Sequence, residues 1–293
     1  MTETDANWTV ITGSTGGIGS EIAKQLASEG KDLILVNRSE AKSQSQKTEL
    51  LSINPSLKIE IIIADLMDTA EIEAAIDTIY RLPGRIDTLY NNSGVLTAQK
   101  ELSAQGFESQ FAVNVLARYH LTMGLVGKMA RPLGQTPAMV VVFSSSAVNA
   151  QKTLKLNDLA RPDKVGGLMS TYGQTKLAAT ALAPALSERL AEDNILIRAI
   201  DPGATRTAMT TSGNTAMPKP LQWLAPLLFS APDKQAAKII ASADPDAFNG
   251  RSGLFVANRK IRALPKPVAN EGTQRDLIAL LDEALNGEEG SAM

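Results

Sequence analysis

Short unbroken apolar runs alternate along this chain with longer stretches in which apolar residues recur every three or four positions. Trp8–Thr12, Leu33–Val36, Ile59–Ala64, Ile86–Tyr90, Met139–Phe143 and Ile195–Ile200 predict strands, and Gly253–Ala257 predicts a further one. After the first run, Ile18, Ile22 and Leu26 predict a helix; after the third, Ile72, Ile76 and Ile79 predict another. Strands that are apolar throughout, with no alternation, belong to a sheet covered on both faces. Their alternation with helices predicts right-handed βαβ units and parallel pairing. The expected fold class is therefore α/β: one three-layer domain with a mostly parallel sheet of about seven strands and helices on both faces.

No Gly/Pro/Ser-rich linker interrupts the rhythm between residues 8 and 257, so residues 1–293 read as one domain. Two irregular stretches follow strands, Val148–Ser170 and Ala208–Ser230, as binding loops do. Within the second, Leu221–Phe229 carries Trp223, Leu224, Leu227 and Leu228 between prolines. It is either a lid over an apolar pocket (208–232) or ordinary core packing. Pro184 should kink or break the helix expected from Tyr172 to Glu192. A last helix is expected at Thr273–Leu285, and 287–293 should be a frayed tail.

Composition narrows the function classes. With 29 basic and 31 acidic residues the formal charge is −2, which gives no reason to expect nucleic acid or an anionic membrane as partner. There are no cysteines and one histidine, His120, so disulfides, thiolate nucleophiles and Cys/His zinc sites are excluded and no metal site is expected. The polar, acidic start Met1–Asp5 is not that of a signal peptide, no run is long enough for a membrane span, and a cytoplasmic location is expected.

The candidate chemistry begins at Thr12-Gly13-Ser14-Thr15-Gly16-Gly17-Ile18-Gly19, between the first strand and the first helix. Glycines there let the backbone approach a pyrophosphate, and the helix start supplies free N–H groups and the positive dipole end. Asn37-Arg38-Ser39 follows the second strand where an NAD site often carries an acid. Arg38 suits a ribose 2′-phosphate instead, so NADP(H) is favoured over NAD(H). Tyr172 and Lys176 stand four apart at the head of a helical stretch, hence on one face. A phenol with an ordinary pKa of about 10 needs a nearby cation to serve as a base at neutral pH.

Taken in order along the chain, these motifs resemble the short-chain dehydrogenase/reductase family. The TGxxxGxG turn is similar to that of its compact branch, and Asn91-Asn92-Ser93-Gly94 looks like the family's NNAG with Ser93 in place of alanine. The resemblance implies a Rossmann-type fold in which Gly13, Ser14, Thr15, Gly17, Ile18, Gly19, Asn37 and Arg38 bind the cofactor. It implies the same for Asp65 and Leu66 on the adenine side, and for Asn91 to Gly94. Pro202, Gly203, Thr205 and Thr207, in a PGxxxT segment, are implied to lie against the nicotinamide. The implied catalytic set is Asn114, Ser145, Tyr172 and Lys176, with Ser146 as the alternative serine. Tyr172 would exchange the proton, Lys176 would hold the ribose and lower the phenol's pKa, Ser145 would bond the substrate oxygen, and Asn114 would join Lys176 to solvent.

The spacing from Ser145 to Tyr172, Arg38, and the late Gly253-Leu254-Phe255 strand look like the retinol-dehydrogenase-like subgroup, which implies a lipophilic carbonyl or alcohol substrate. Reduction of a C=C bond on the same scaffold, or a non-catalytic NAD(P)-sensing protein, are the alternatives. A homo-oligomer is open in either case.

Overall fold

The central apolar runs bury both of their faces, which places the sheet at the centre of the molecule. In the computed structural model, residues 7–97, 101–162, 167–205 and 230–286 are described. The strands are β1 (Asn7–Thr12), β2 (Asp32–Asn37), β3 (Ile59–Ile63), β4 (Arg85–Asn91), β5 (Ala138–Phe143), β6 (Ile195–Asp201), β7 (Leu254–Ala257) and β8 (Lys260–Arg262). They lie in the order β3-β2-β1-β4-β5-β6-β7-β8, parallel up to β7. Alternate residues feed two separate cores. Val10, Ile34, Val36, Val140 and Val142 enter one, while Ile11, Leu33, Leu35, Val141 and Phe143 enter the other.

The main helices are α1 (Gly17–Ser28), α2 (Glu40–Ile53), α3 (Thr69–Arg81), α4 (Ala117–Gly124), α5 (Leu168–Ala191), α6 (Pro232–Ala243) and α7 (Glu271–Asn286). Ile22 and Leu26 of α1, Leu50 of α2 and Ile239 of α6 cover one face. Ile72 and Ile76 of α3, Leu121 of α4 and Leu177 of α5 cover the other, and α7 adds Leu277 and Leu281. No helix among the described residues is long and apolar enough to cross a membrane.

Two features differ from the sequence expectation. The sheet has an eighth strand: β8 pairs antiparallel with β7 through a two-residue turn at Asn258 and Arg259, both left-handed with φ of 51° and 58°. All three of its residues are exposed, so no apolar run announces it. Pro184 does not break α5, which runs through it as one 24-residue element. The β-carbon of a side chain at Gly253 would lie 3.6 Å from the Pro184 Cα and 3.1 Å from the Ser187 Oγ. The bare glycine lets the helix pack against the start of β7 at that point. The expected lid lies almost wholly outside the described residues, as do residues 287–293.

Strand order reverses between β1 and β4, which opens a crevice at their carboxyl ends, the usual ligand position in such sheets. The chain there is closely packed. The Asn92 amide donates to the carbonyls of Thr12 and Gly13, both at 2.9 Å, and Ser93 N–H donates to Thr12 Oγ1 at 2.9 Å. A β-carbon at Gly19 would fall 2.5 Å from Asn92 Nδ2 and 2.6 Å from the Gly13 oxygen, so the first turn of α1 sits this close only because that position is bare.

Gly19→Ala should lower the unfolding free energy by about 1–3 kcal/mol, read as a lower urea midpoint; an unchanged midpoint would show that the helix start moves aside without cost. At the other end of the sheet, fully buried Arg198 donates to the carbonyls of Arg251, Ser242, Asp244, Pro245 and Ala247. Arg198→Met leaves those oxygens without a donor and should cost about 3 kcal/mol or more by the same measurement.

Candidate active site

The crevice is a cavity of about 900 Å³ that runs from the β1–α1 turn across the ends of β2, β4, β5 and β6. Gly13, Thr15, Gly17 and Ile18 line it. Gly13 and Gly17 are left-handed, with φ of 66° and 58°. No side chain caps the start of α1, and the space beside Gly16 is open. Uncapped helix-start N–H groups behind bare backbone fit a pyrophosphate.

Two residues expected in this wall stand behind it. The Ser14 side chain is fully buried, bonded to Gln46 Oε1 at 2.8 Å and to the Asn37 side chain, and Gln46 donates back to the Ser14 carbonyl at 2.6 Å. Ser14 therefore fixes the turn to β2 and α2 and leaves the cavity to its neighbours. Gly19 serves the close approach already described.

At one end of the cavity lie Asn37, Arg38, Ser39, Lys42, Asp65 and Leu66. Arg38 is 76% exposed in its side chain and only 3.8 Å from Asp65, an ion pair loose enough to open toward a ligand. Lys42 was not picked out in the sequence. A lysine four residues after Arg38, in the first turn of the following helix, was the available signal. The pair of cations fits a phosphate on this side.

At the other end, Asn92, Ser93, Gly94, Ser145, Tyr172, Lys176, Pro202, Gly203 and Thr205 come together. Thr207 lies outside the described residues. Asn91 points away, its amide donating to Thr122 at 3.0 Å. Asn114 also stands behind the wall, on a π-helical turn (Ala112–Leu116) leading into α4. Its side chain exchanges hydrogen bonds with Val95 N–H and C=O at 2.8 and 3.0 Å and donates to Thr175 Oγ1 at 3.1 Å. That pairing braces the segment after Gly94.

Of the three serines that follow β5, Ser144 is buried and paired with Thr180 Oγ1 at 2.6 Å, whereas Ser145 and Ser146 line the cavity together with Tyr172. Lys176 is buried, lies 5.7 Å from the centre of the Tyr172 ring, and donates to the Phe143 carbonyl at 3.0 Å. Burial lowers its pKa well below the usual ammonium value; Arg118 lowers it further and Asp201 opposes both. Burial raises the Tyr172 phenol, with Arg118 and Ser145 pulling it down. Asp201, at the end of β6, is itself raised by burial while accepting from Gly203 N–H at 2.8 Å.

Comparison with known proteins agrees with this geometry. Residues 7–157 match the family model for short chain dehydrogenases. A chloroplastic short-chain dehydrogenase, TIC 32 A of Brassica napus, is 33% identical over 205 residues, which cover 68% of this chain and 63% of that protein. Retinol dehydrogenase 13 of Mus musculus is 28% identical over 271 residues, covering 89% of this chain and 78% of that protein. The chain thus matches just under two thirds of the length of some of its curated relatives. Among solved structures, an NADPH-bound carbonyl reductase from chicken fatty liver superposes with a TM-score of 0.67 at 21% identity, covering 88% of this chain and 99% of that one. The glycine turn, the crevice behind it and these matches agree: the chain belongs to the short-chain dehydrogenase/reductase family of NAD(P)-dependent oxidoreductases, near its retinol-dehydrogenase-like members.

Proposed function

We propose that this protein transfers a hydride between NADP(H) and the carbonyl or alcohol group of a lipophilic small molecule, with Tyr172 as general acid or base. The observation that carries this reading is that Ser145, Tyr172 and buried Lys176 line the same cavity as the glycine turn, with the Lys176 ammonium 5.7 Å from the centre of the Tyr172 ring. The bound nicotinamide would supply the hydride donor or acceptor; the chain's own groups handle the proton and the geometry. Gly13 to Ile18 would hold the pyrophosphate, Arg38 and Lys42 a 2′-phosphate, and Asp65 the adenosine side. The structural neighbour from chicken liver holds NADPH, which supports the same preference here.

In the reductive direction Tyr172 gives its proton to the substrate oxygen while the Ser145 hydroxyl bonds that oxygen and steadies the negative charge developing on it. Burial helps here, because a raised phenol pKa keeps the proton in place at neutral pH. The acid form is lost only as pH rises through the phenol's pKa, so reduction should hold from neutral pH upward and fall at the alkaline end. Beyond Tyr172 the wall is largely apolar, with Val95, Leu96, Val113, Ala147 and Met169, which supports a lipophilic substrate.

Tyr172→Phe should lower kcat roughly 10²–10⁴-fold while NADPH still binds, measured by nucleotide fluorescence titration beside an aldehyde and ketone panel. Retained turnover would remove Tyr172 from the proton transfer. Arg38→Asp should lower the ratio of kcat/KM with NADPH to that with NADH by about tenfold or more; an unchanged ratio would sink the 2′-phosphate assignment.

A further inference from the structure

One buried charge in this site has no part in the scheme above. Arg118, in α4, is only 2% exposed. Its guanidinium turns toward the sheet. Nη1 donates to the Phe143 carbonyl at 2.6 Å and Nη2 to the Ser93 carbonyl at 2.7 Å. Those oxygens belong to the ends of two neighbouring strands, β5 just before the serine run and β4 just after Asn92. Lys176 donates to the same Phe143 oxygen, so two cations share one carbonyl.

Gly94 roofs the cluster. A β-carbon there would lie 3.0 Å from Asn114 Oδ1, 3.4 Å from Arg118 Nη2 and 3.5 Å from Lys176 Nζ. Among the described residues Arg118 forms no salt bridge, and its Nε is buried without a partner.

Joining two strand ends does not by itself explain a guanidinium. Burying an uncompensated cation costs several kcal/mol, and a neutral donor could bond a carbonyl without that penalty. The charge therefore invites an explanation through its surroundings: Lys176 shares its Phe143 acceptor and lies 5.7 Å from the centre of the Tyr172 ring. We propose that Arg118 is a positioning residue for the proton-transfer step: it holds the ends of β4 and β5 in register under the cofactor cavity and supplies a fixed positive charge that favours the ionised form of Tyr172. This assignment deepens the reading of Tyr172 as the proton-transfer group and rests on it.

The groups acting on Tyr172 agree. Burial dominates and disfavours the phenolate; Arg118 is the largest influence in the opposite sense, ahead of Ser145, and Asp201 on β6 adds to the effect of burial. Lys176, on the same helix as Tyr172, is driven toward its neutral form by burial and then by Arg118, which makes it the less dependable charge before a cofactor binds. Burial lowers the Arg118 pKa, yet a guanidinium is the last of these groups to give up its proton, so its charge persists while the phenol titrates.

The test needs no turnover. Phenol ionisation in the apoprotein is followed by ultraviolet difference absorbance, each protein being read against its own Tyr172→Phe counterpart. Arg118→Gln keeps a donor and removes the charge; Arg118→Lys keeps the charge and loses the fork. The Gln variant should ionise Tyr172 roughly one pH unit higher than wild type, and the Lys variant close to wild type. Coincident titrations of wild type and Arg118→Gln, or equal shifts in the Gln and Lys variants, would overturn the proposal.

Arg118→Met serves as a third arm, and if it does not fold the other two still decide. For alcohol oxidation, which needs the phenolate, the rising limb of the pH profile should move upward with the Gln variant in the same sense. A wild-type protein that binds nucleotide but turns over no alcohol or carbonyl would defeat the proposed function while the titration still reported on Arg118.

Discussion

The Asn92 side chain is where this structure is tied together. Its single amide nitrogen bonds the carbonyls at the end of β1 and the start of the glycine turn, and it sits where any β-carbon on Gly19 would have to be. Pull that contact apart and three things shift at once: the spacing of β1 and β4, the direction in which α1 leaves the sheet, and the open backbone that faces the cavity. Behind the turn, the Ser14–Asn37–Gln46 network holds the same loop from the β2 side. Buried polar networks that are fully satisfied rigidify their surroundings. The turn is thus fixed from both sides without using any group that a pyrophosphate would need.

The second constraint is electrostatic. Tyr172 and Lys176 line the crevice and Arg118 is buried behind it, with Asp201 as the carboxylate acting on Tyr172 and Lys176. In a low-dielectric site such charges interact far more strongly than at a surface, and burial alone pushes each group toward neutrality. The Phe143 carbonyl is what makes the arrangement tolerable, since it accepts from both cations. A strand terminus suits this task because its last carbonyl has no partner further along the ladder, and the serine run begins immediately after it.

Much of this was legible in the chain. Predominantly apolar runs located every parallel strand, though polar residues such as Glu60, Asp87 and Arg198 interrupt some of them, and the ordered motifs led to the residues that line the cavity. β8 was not legible, since its three residues are exposed and its pairing depends on a turn of two non-glycine residues in the left-handed region. Pro184 misled for a different reason: the local rule for proline holds, but Gly253, far away in sequence, changes what packs around it. Ser14, Asn91 and Asn114 were placed on the right segments, yet the direction of a side chain is a tertiary fact that segment position does not settle.

Arg118 was missed because attention to motif positions passes over a residue between them. The available signal was physical: an arginine on a helix that follows Val113, Val115 and Leu116, one turn after Asn114, must either reach solvent or find acceptors inside. Its acceptors turn out to be two strand ends that meet at the reacting end of the crevice. A fold that gathers unpaired carbonyls at one edge of a sheet will attract buried donors there, and a donor that carries a permanent charge also sets the proton affinity of whatever else occupies that edge. The same geometry that makes the carboxyl end of a parallel sheet a place to bind a ligand therefore makes it a place where a phenol can be tuned.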